Sequence, residues 1–136
     1  MASNTANVTM RWREKLVFEG GGPRRPPTMV DGDSQVASSP VELLLLAGAA
    51  CSGSDMVGIL EKMRVALWLL EVEVVGTRCE ENPRRLTAIH FRFRVGGAGV
   101  DEAKVRRSVD LSLEKYCSVT ASLAPDIRLS YDVTIA

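Results

Sequence analysis

Residues 7–19, NVTMRWREKLVFE, place Val, Thr, Met, Trp, Leu and Phe in near alternation with charged side chains. That is the period-two pattern of a half-buried strand. The run Gly20-Gly21-Gly22-Pro23-Arg24-Arg25-Pro26-Pro27 cannot continue it, because the glycines are permissive and the prolines lack amide donors. Thr28-Met29-Val30 reads as a short strand closed by the turn pair Asp31-Gly32, so the N-terminal part predicts an antiparallel hairpin.

Ser38-Ser39-Pro40 announces a helix. Ser39 suits the cap, Pro40 the first helical position, and Glu42 complements the positive end of the helix dipole. From Leu43 to Met63 the chain is apolar nearly all round, which predicts a long central helix buried against protein on most sides. Cys51 and Asp55 interrupt that pattern; four residues apart, they share one helix face.

Alternation returns over residues 68–79 and 85–95, with Asn82-Pro83 between them, predicting a second hairpin. Gly96-Gly97-Ala98-Gly99 interrupts, and Asp101 can cap an amphipathic helix over Glu102–Tyr116 with Val105, Val109, Leu111 and Leu113 on its apolar side. After Pro125, residues 127–135 alternate again as a last strand. The predicted order is β-β-α-β-β-α-β, an α+β class without regular βαβ alternation.

A chain of 136 residues is expected to form one domain with its own core. Seventeen basic and seventeen acidic residues balance, so no global field exists to attract nucleic acid or an anionic membrane. The polar start MASNTANVTMRWREK lacks the apolar core of an export signal, which points to the cytoplasm and to reduced thiols. Val41–Leu60 is long enough to span a bilayer, but Glu42, Cys51, Ser52, Ser54 and Asp55 would be costly in lipid, and a helix inside protein is expected instead.

Cys51, Cys79 and Cys117 follow no paired zinc-ligand spacing and the chain has one histidine, so no structural metal is expected. An odd thiol count in a reducing compartment also argues against a disulfide scaffold, leaving buried filler or reactive sulfur. Cys51 lies among small residues, Ala49, Ala50, Ser52, Gly53 and Ser54, which leave room for a second segment or a substrate to approach. Cys117 has Lys115 two residues before it, a cation that would favour thiolate if it faced the sulfur. Cys79, beside Glu80 and Glu81, reads as a bystander, and His90 as a strand residue with no second histidine to complete a site. Neither glycine-rich stretch has the spacing of a phosphate-cradling loop.

Two motifs carry a resemblance. Ser39-Pro40-Val41-Glu42-Leu43-Leu44-Leu45-Leu46-Ala47-Gly48-Ala49-Ala50-Cys51, then Asp55 and Ile59-Leu60-Glu61-Lys62-Met63-Arg64, resembles the central helix of the OsmC/Ohr family of thiol-dependent hydroperoxide reductases. Asp110-Leu111-Ser112-Leu113-Glu114-Lys115-Tyr116-Cys117-Ser118-Val119 resembles that family's second-cysteine segment, most closely in its YhfA-like branch.

The resemblance implies a single OsmC-like domain over residues 1–136, an intertwined homodimer, and oxidative-stress defence by a cysteine-dependent peroxidase. It implies that Cys51 attacks a peroxide to become a sulfenic acid, and that Cys117 resolves it as a disulfide. An external dithiol, a lipoyl protein in related members, then resets the pair, and no metal, haem or flavin cofactor takes part. Organic hydroperoxides are the expected substrates, on an apolar lining of Leu, Val, Met and Ala around Cys51.

Ohr proteins place a glutamate, paired with a catalytic arginine, ten residues before the first cysteine. Here Val41 holds that place, and the adjacent Glu42 becomes the third candidate catalytic residue. Arg11, Arg13, Arg24 and Arg25 are the arginines in the corresponding N-terminal region. Proline commonly follows the family's second cysteine, whereas Ser118 follows Cys117. The departure at Val41 motivates an alternative of another class, a dimeric ligand-binding protein or thiol sensor with little turnover.

Overall fold

A computed structural model describes residues 4–136. The first three positions of the polar N-terminal stretch, and of the expected 1–136 domain, lie outside the described residues. The chain divides into two compact units, one ending at Leu44 and the other running from Leu45 to Ala136.

In the first unit, strands β1 (Thr9–Glu14), β2 (Val17–Gly21) and β3 (Thr28–Asp31) form an antiparallel sheet in sequence order. The single strand predicted over residues 7–19 is therefore two strands, and the initial β-β becomes β-β-β. The chain reverses at Lys15-Leu16, where Glu14 pairs Val17 and Lys15 adopts φ 48°. The Trp12 indole donates to Lys15 O across this turn at 2.8 Å. No glycine, asparagine or proline marks the reversal, so the alternation runs through it unbroken. The Asp31 carboxylate accepts the Asp33, Gln35 and Val36 amides at 2.8–3.0 Å and organises the loop after β3.

Helix α1 (Pro40–Lys62) begins where Ser39 and Pro40 predict. Ser39 Oγ accepts the Glu42 amide at 3.1 Å, and the Glu42 carboxylate accepts the Ser39 amide at 2.9 Å, a reciprocal capping box. At the other end Arg64 takes a left-handed conformation, φ 63°, which lets the Val65 amide return to Leu60 O.

In the second unit, β4 (Ala66–Arg78) and β5 (Leu86–Ala98) form the predicted hairpin, and β6 (Arg128–Ile135) adds to β5 in parallel. Ile89, Phe91, Phe93 and Val95 turn one face of β5 into the core, while His90, Arg92 and Arg94 occupy the other. Burying Phe91 and Phe93 contributes about 1.5–3 kcal/mol each. Gly76 serves close packing there: a Cβ at this position would lie 2.8 Å from Leu86 Cδ2 and 3.1 Å from Leu45 Cδ1.

Helix α2 (Glu102–Leu111) is capped by Asp101, which accepts the Lys104 amide at 2.8 Å, and buries Val105 and Val109. The helix predicted to run to Tyr116 changes pitch at Ser112: residues Ser112–Tyr116 form a π-helical turn, closed by the Cys117 amide on Ser112 O at 2.7 Å. A short helix α3 (Ser118–Ala121) follows.

The length and composition of α1 would suffice to cross a membrane. In this chain its buried residues are Gly48, Ser52, Gly53, Met56 and Leu60, and Gly48 and Gly53 approach Phe91 of β5 and Leu70 of β4. Leu44, Leu46 and Val57 remain exposed, so the burial on most sides expected from its apolar sequence is not met within one chain. A helix buries only the faces for which the chain supplies a neighbour, whatever its hydropathy.

Candidate functional site

Two elements 66 residues apart in sequence meet at Cys51 and Cys117. Helix α1 supplies Cys51, with Asp55 one turn further on the same face. The π-helical turn delivers Cys117 as the residue capping α3. One donor atom from each of Cys51, Asp55 and Cys117 lies within 4.8 Å of the other two. Both cysteines are free thiols; Cys51 is half-buried and Cys117 is 3% exposed.

The two sulfurs have opposite environments. The Val119 amide chiefly holds the Cys51 thiol below its ordinary pKa, with burial opposing and contacts from Cys117 and Ser118 assisting. Ser118 Oγ lies 3.8 Å from Cys51 Sγ. Donors aimed at sulfur favour the charged form. Cys117 is displaced upward, first by its burial and also by the neighbouring Cys51, although Thr120 opposes the shift. Its sulfur accepts the Thr120 amide at 3.5 Å.

The thiolate-favoured sulfur is thus Cys51. Lys115, which sequence proximity suggested as an activator of Cys117, instead has its ammonium 5.7 Å from the Tyr116 ring centroid. Two residues' separation at the end of a helical segment sets proximity along the chain, not the direction of the side chain.

Below the thiols is a polar cluster. Ser112 donates to Asp55 Oδ2 at 2.8 Å, and its Oγ lies 3.1 Å from Ser52 Oγ; both serines are fully buried. This arrangement connects the start of the π-helical turn to α1. Beside it, Ser54, Asp55, Gly58, Ile59, Lys62 and Tyr116 line an open recess of about 370 Å³. Its lining is mixed, where the sequence predicts Leu, Val, Met and Ala, because the helix face carrying Asp55 continues to Lys62.

Glu42 lies in the first unit, and its carboxylate accepts both the Ser39 amide and the Ser34 hydroxyl, each at 2.9 Å. These contacts hold its pKa below the ordinary value, the Ser39 amide contributing most. Among the arginines of that unit, Arg13 pairs with Glu19 at 2.9 Å, and Arg11 and Arg25 line a recess of about 410 Å³ with Glu19 and Gly20–Gly22.

Cys79 is outside the thiol cluster and donates to Glu81 O at 3.4 Å. His90 lies on the outer sheet face, its ring bound to Ser130 at 2.7 Å and Asp132 at 2.9 Å. Ser112, Ser118 and the Val119 amide were not foreseen. A backbone amide has no residue-type signature, and the serines acquire their partners only through the π-helical turn.

Residues 31–132 match the sequence model of the OsmC-like proteins. The chain belongs to the OsmC family. This OsmC-family chain is 42% identical to Protein YhfA of Escherichia coli K12 over 130 residues, covering 93% of the chain and 97% of that protein. A crystal structure of a protein from Aquifex aeolicus VF5 is 26% identical and superposes with a TM-score of 0.84, covering 98% of this chain and 99% of that one. The fold is shared with an OsmC-like protein from Mycoplasma pneumoniae, at a TM-score of 0.84, 15% identity and 99% coverage of both chains. It is shared too with the organic hydroperoxide resistance protein OhrB of Bacillus subtilis, at a TM-score of 0.63, 16% identity and coverage of 96% and 98%.

Proposed function

We propose that this OsmC-family chain is a thiol-dependent peroxidase of the cytoplasm that reduces organic hydroperoxides in oxidative-stress defence. The supporting observation is the asymmetric pair: Cys51 favoured as thiolate beside the Val119 amide, and Cys117 favoured as thiol within 4.8 Å of it. The Cys51 thiolate attacks the terminal peroxide oxygen, the O–O bond breaks, and the alkoxide leaves as the alcohol after taking a proton. Cys51 is then a sulfenic acid. Cys117 sulfur attacks Cys51 sulfur, the S–O bond breaks, and the Cys117 proton leaves with the hydroxide as water. An external dithiol reduces the resulting disulfide by two electrons. Hydrogen peroxide follows the same path with water as its first product.

Activation rests on the amide of Val119 and on Ser118, and the part we assign to Glu42 is the helix cap rather than the chemistry. We assign an intertwined homodimer as the assembled form, because Leu44, Leu46 and Val57 of α1 are left exposed and available for cover. The recess beside Asp55, with Ile59 and Tyr116 in its lining, provides space for an organic group.

The test is consumption of cumene hydroperoxide by purified protein with dihydrolipoamide or dithiothreitol. Cys51→Ser is expected to lower kcat/KM by at least about a thousandfold, the scale of removing a nucleophile. Turnover equal in wild type and Cys51→Ser would overturn the reading. Oxidation of Cys51 without sustained consumption under either reductant would overturn it in favour of a thiol sensor.

A further inference from the structure

We propose that the reduced site also binds a soft divalent cation of the zinc class through Cys51, Cys117 and Asp55. Folding creates a donor set that spacing along the chain does not reveal. Two sulfurs and one carboxylate oxygen lie within 4.8 Å of one another, whereas the cysteines are 66 residues apart. Sulfur at about 2.3 Å and oxygen at about 2.1 Å from a tetrahedral zinc ion stand roughly 3.5–3.8 Å from each other. Closing onto an ion therefore requires a change of no more than about 1.3 Å in any pairwise separation, within reach of small side-chain rotations.

Each donor also has an outer partner that aims it. The Val119 amide addresses Cys51 sulfur, the Thr120 amide reaches Cys117 sulfur at 3.5 Å, and Ser112 holds the Asp55 carboxylate through Oδ2 at 2.8 Å. Such outer contacts orient ligands at metal centres. Two thiolates with one carboxylate select zinc, cadmium or cobalt over magnesium and calcium, which require oxygen ligands. Three protein donors leave a fourth position for water or a small ligand.

Binding releases the Cys117 proton, so affinity falls as pH is lowered. A Cys51–Cys117 disulfide would remove both sulfur donors, making metal binding and thiol oxidation mutually exclusive. Metal binding by the reduced thiols does not depend on peroxide reduction.

The experiment titrates Co²⁺ into the full, reduced chain under anaerobic conditions. Expected are one ion per chain, thiolate-to-cobalt charge-transfer absorption with tetrahedral d–d bands, and displacement by Zn²⁺. Asp55→Asn keeps an acceptor for Ser112 and is expected to weaken binding by about 10- to 100-fold or more, since losing even an outer partner costs that much. Cys51→Ser and Cys117→Ser lose the charge-transfer band while circular dichroism reports a retained fold, and Cys79→Ser leaves it unchanged. Alkylated wild type, in which no residue is replaced, also loses it. Absence of the band in reduced wild type, its survival in Cys51→Ser, or undiminished affinity in Asp55→Asn would overturn the proposal. Peroxide turnover measured without metal reports separately on the peroxidase reading, so either can fail alone.

Discussion

The Cys51 and Cys117 sulfurs lie within 4.8 Å of each other, yet Val119 pulls the first toward thiolate while burial keeps the second a thiol. Thiolate is thereby favoured at the sulfur nearer solvent, and the protonated form at the sulfur to which the proposal gives the second step. That division of labour has chemical consequences for each thiol.

Alkylation by iodoacetamide should modify Cys51 before Cys117 and retain its rate below the ordinary thiol pKa. The sign follows from the shifts. A lowered folded-state value leaves thiolate present until pH falls through that lower value, whereas Cys117 acquires thiolate only above the ordinary value. Ser118→Ala should move the Cys51 profile to higher pH without reversing the order, because the Val119 amide remains. Peptide mapping across a pH series checks this; equal reactivity of the two thiols would contradict it.

Ser112→Ala should destabilise the protein by about 1–3 kcal/mol, because Asp55 and Ser52 would lose a buried polar partner. Ser52→Ala combined with Ser112→Ala should be non-additive by roughly 0.5 kcal/mol or more, since the two hydroxyls share one network. Urea unfolding of the single and double variants measures both quantities.

Much of this arrangement was legible in the chain. Ser39, Pro40 and Glu42 specified where α1 begins, and Asp101 specified the start of α2, because capping depends on side chains at fixed offsets. The strands β4 and β5 followed from their alternation, with His90 on the outward side. The turn at Lys15-Leu16 escaped because a left-handed lysine has no compositional mark. So did the π-helical turn at Ser112, where one extra residue per turn re-aims Cys117 and no residue type announces the change. At the site, Cys51, Cys117 and Asp55 were visible as types, but the activating amide of Val119 was not.

The cap at α1 predicts a pH dependence of stability. Val36, the largest contributor, together with Asp33 and Gln35, holds Asp31 below its ordinary pKa, and the Ser39 amide leads the same effect on Glu42. Depressed folded-state values mean that the stabilisation is complete above the ordinary carboxylate range and is lost as pH falls through the folded values. Asp31→Asn and Glu42→Gln should therefore lower Tm at neutral pH and flatten its decline in acid. Ser39→Ala should cost about 1 kcal/mol. Thermal melts from neutral to acid pH decide this, and curves parallel to wild type would contradict the carboxylate assignments.

The most direct measurement is peptide mapping of the fully reduced protein after one equivalent of cumene hydroperoxide. The account predicts a Cys51–Cys117 disulfide with Cys79 still a thiol, and in Cys117→Ser a Cys51 sulfenic acid trapped by dimedone. Oxidation appearing first at Cys79, or at Cys117 with undiminished rate in Cys51→Ser, would contradict it.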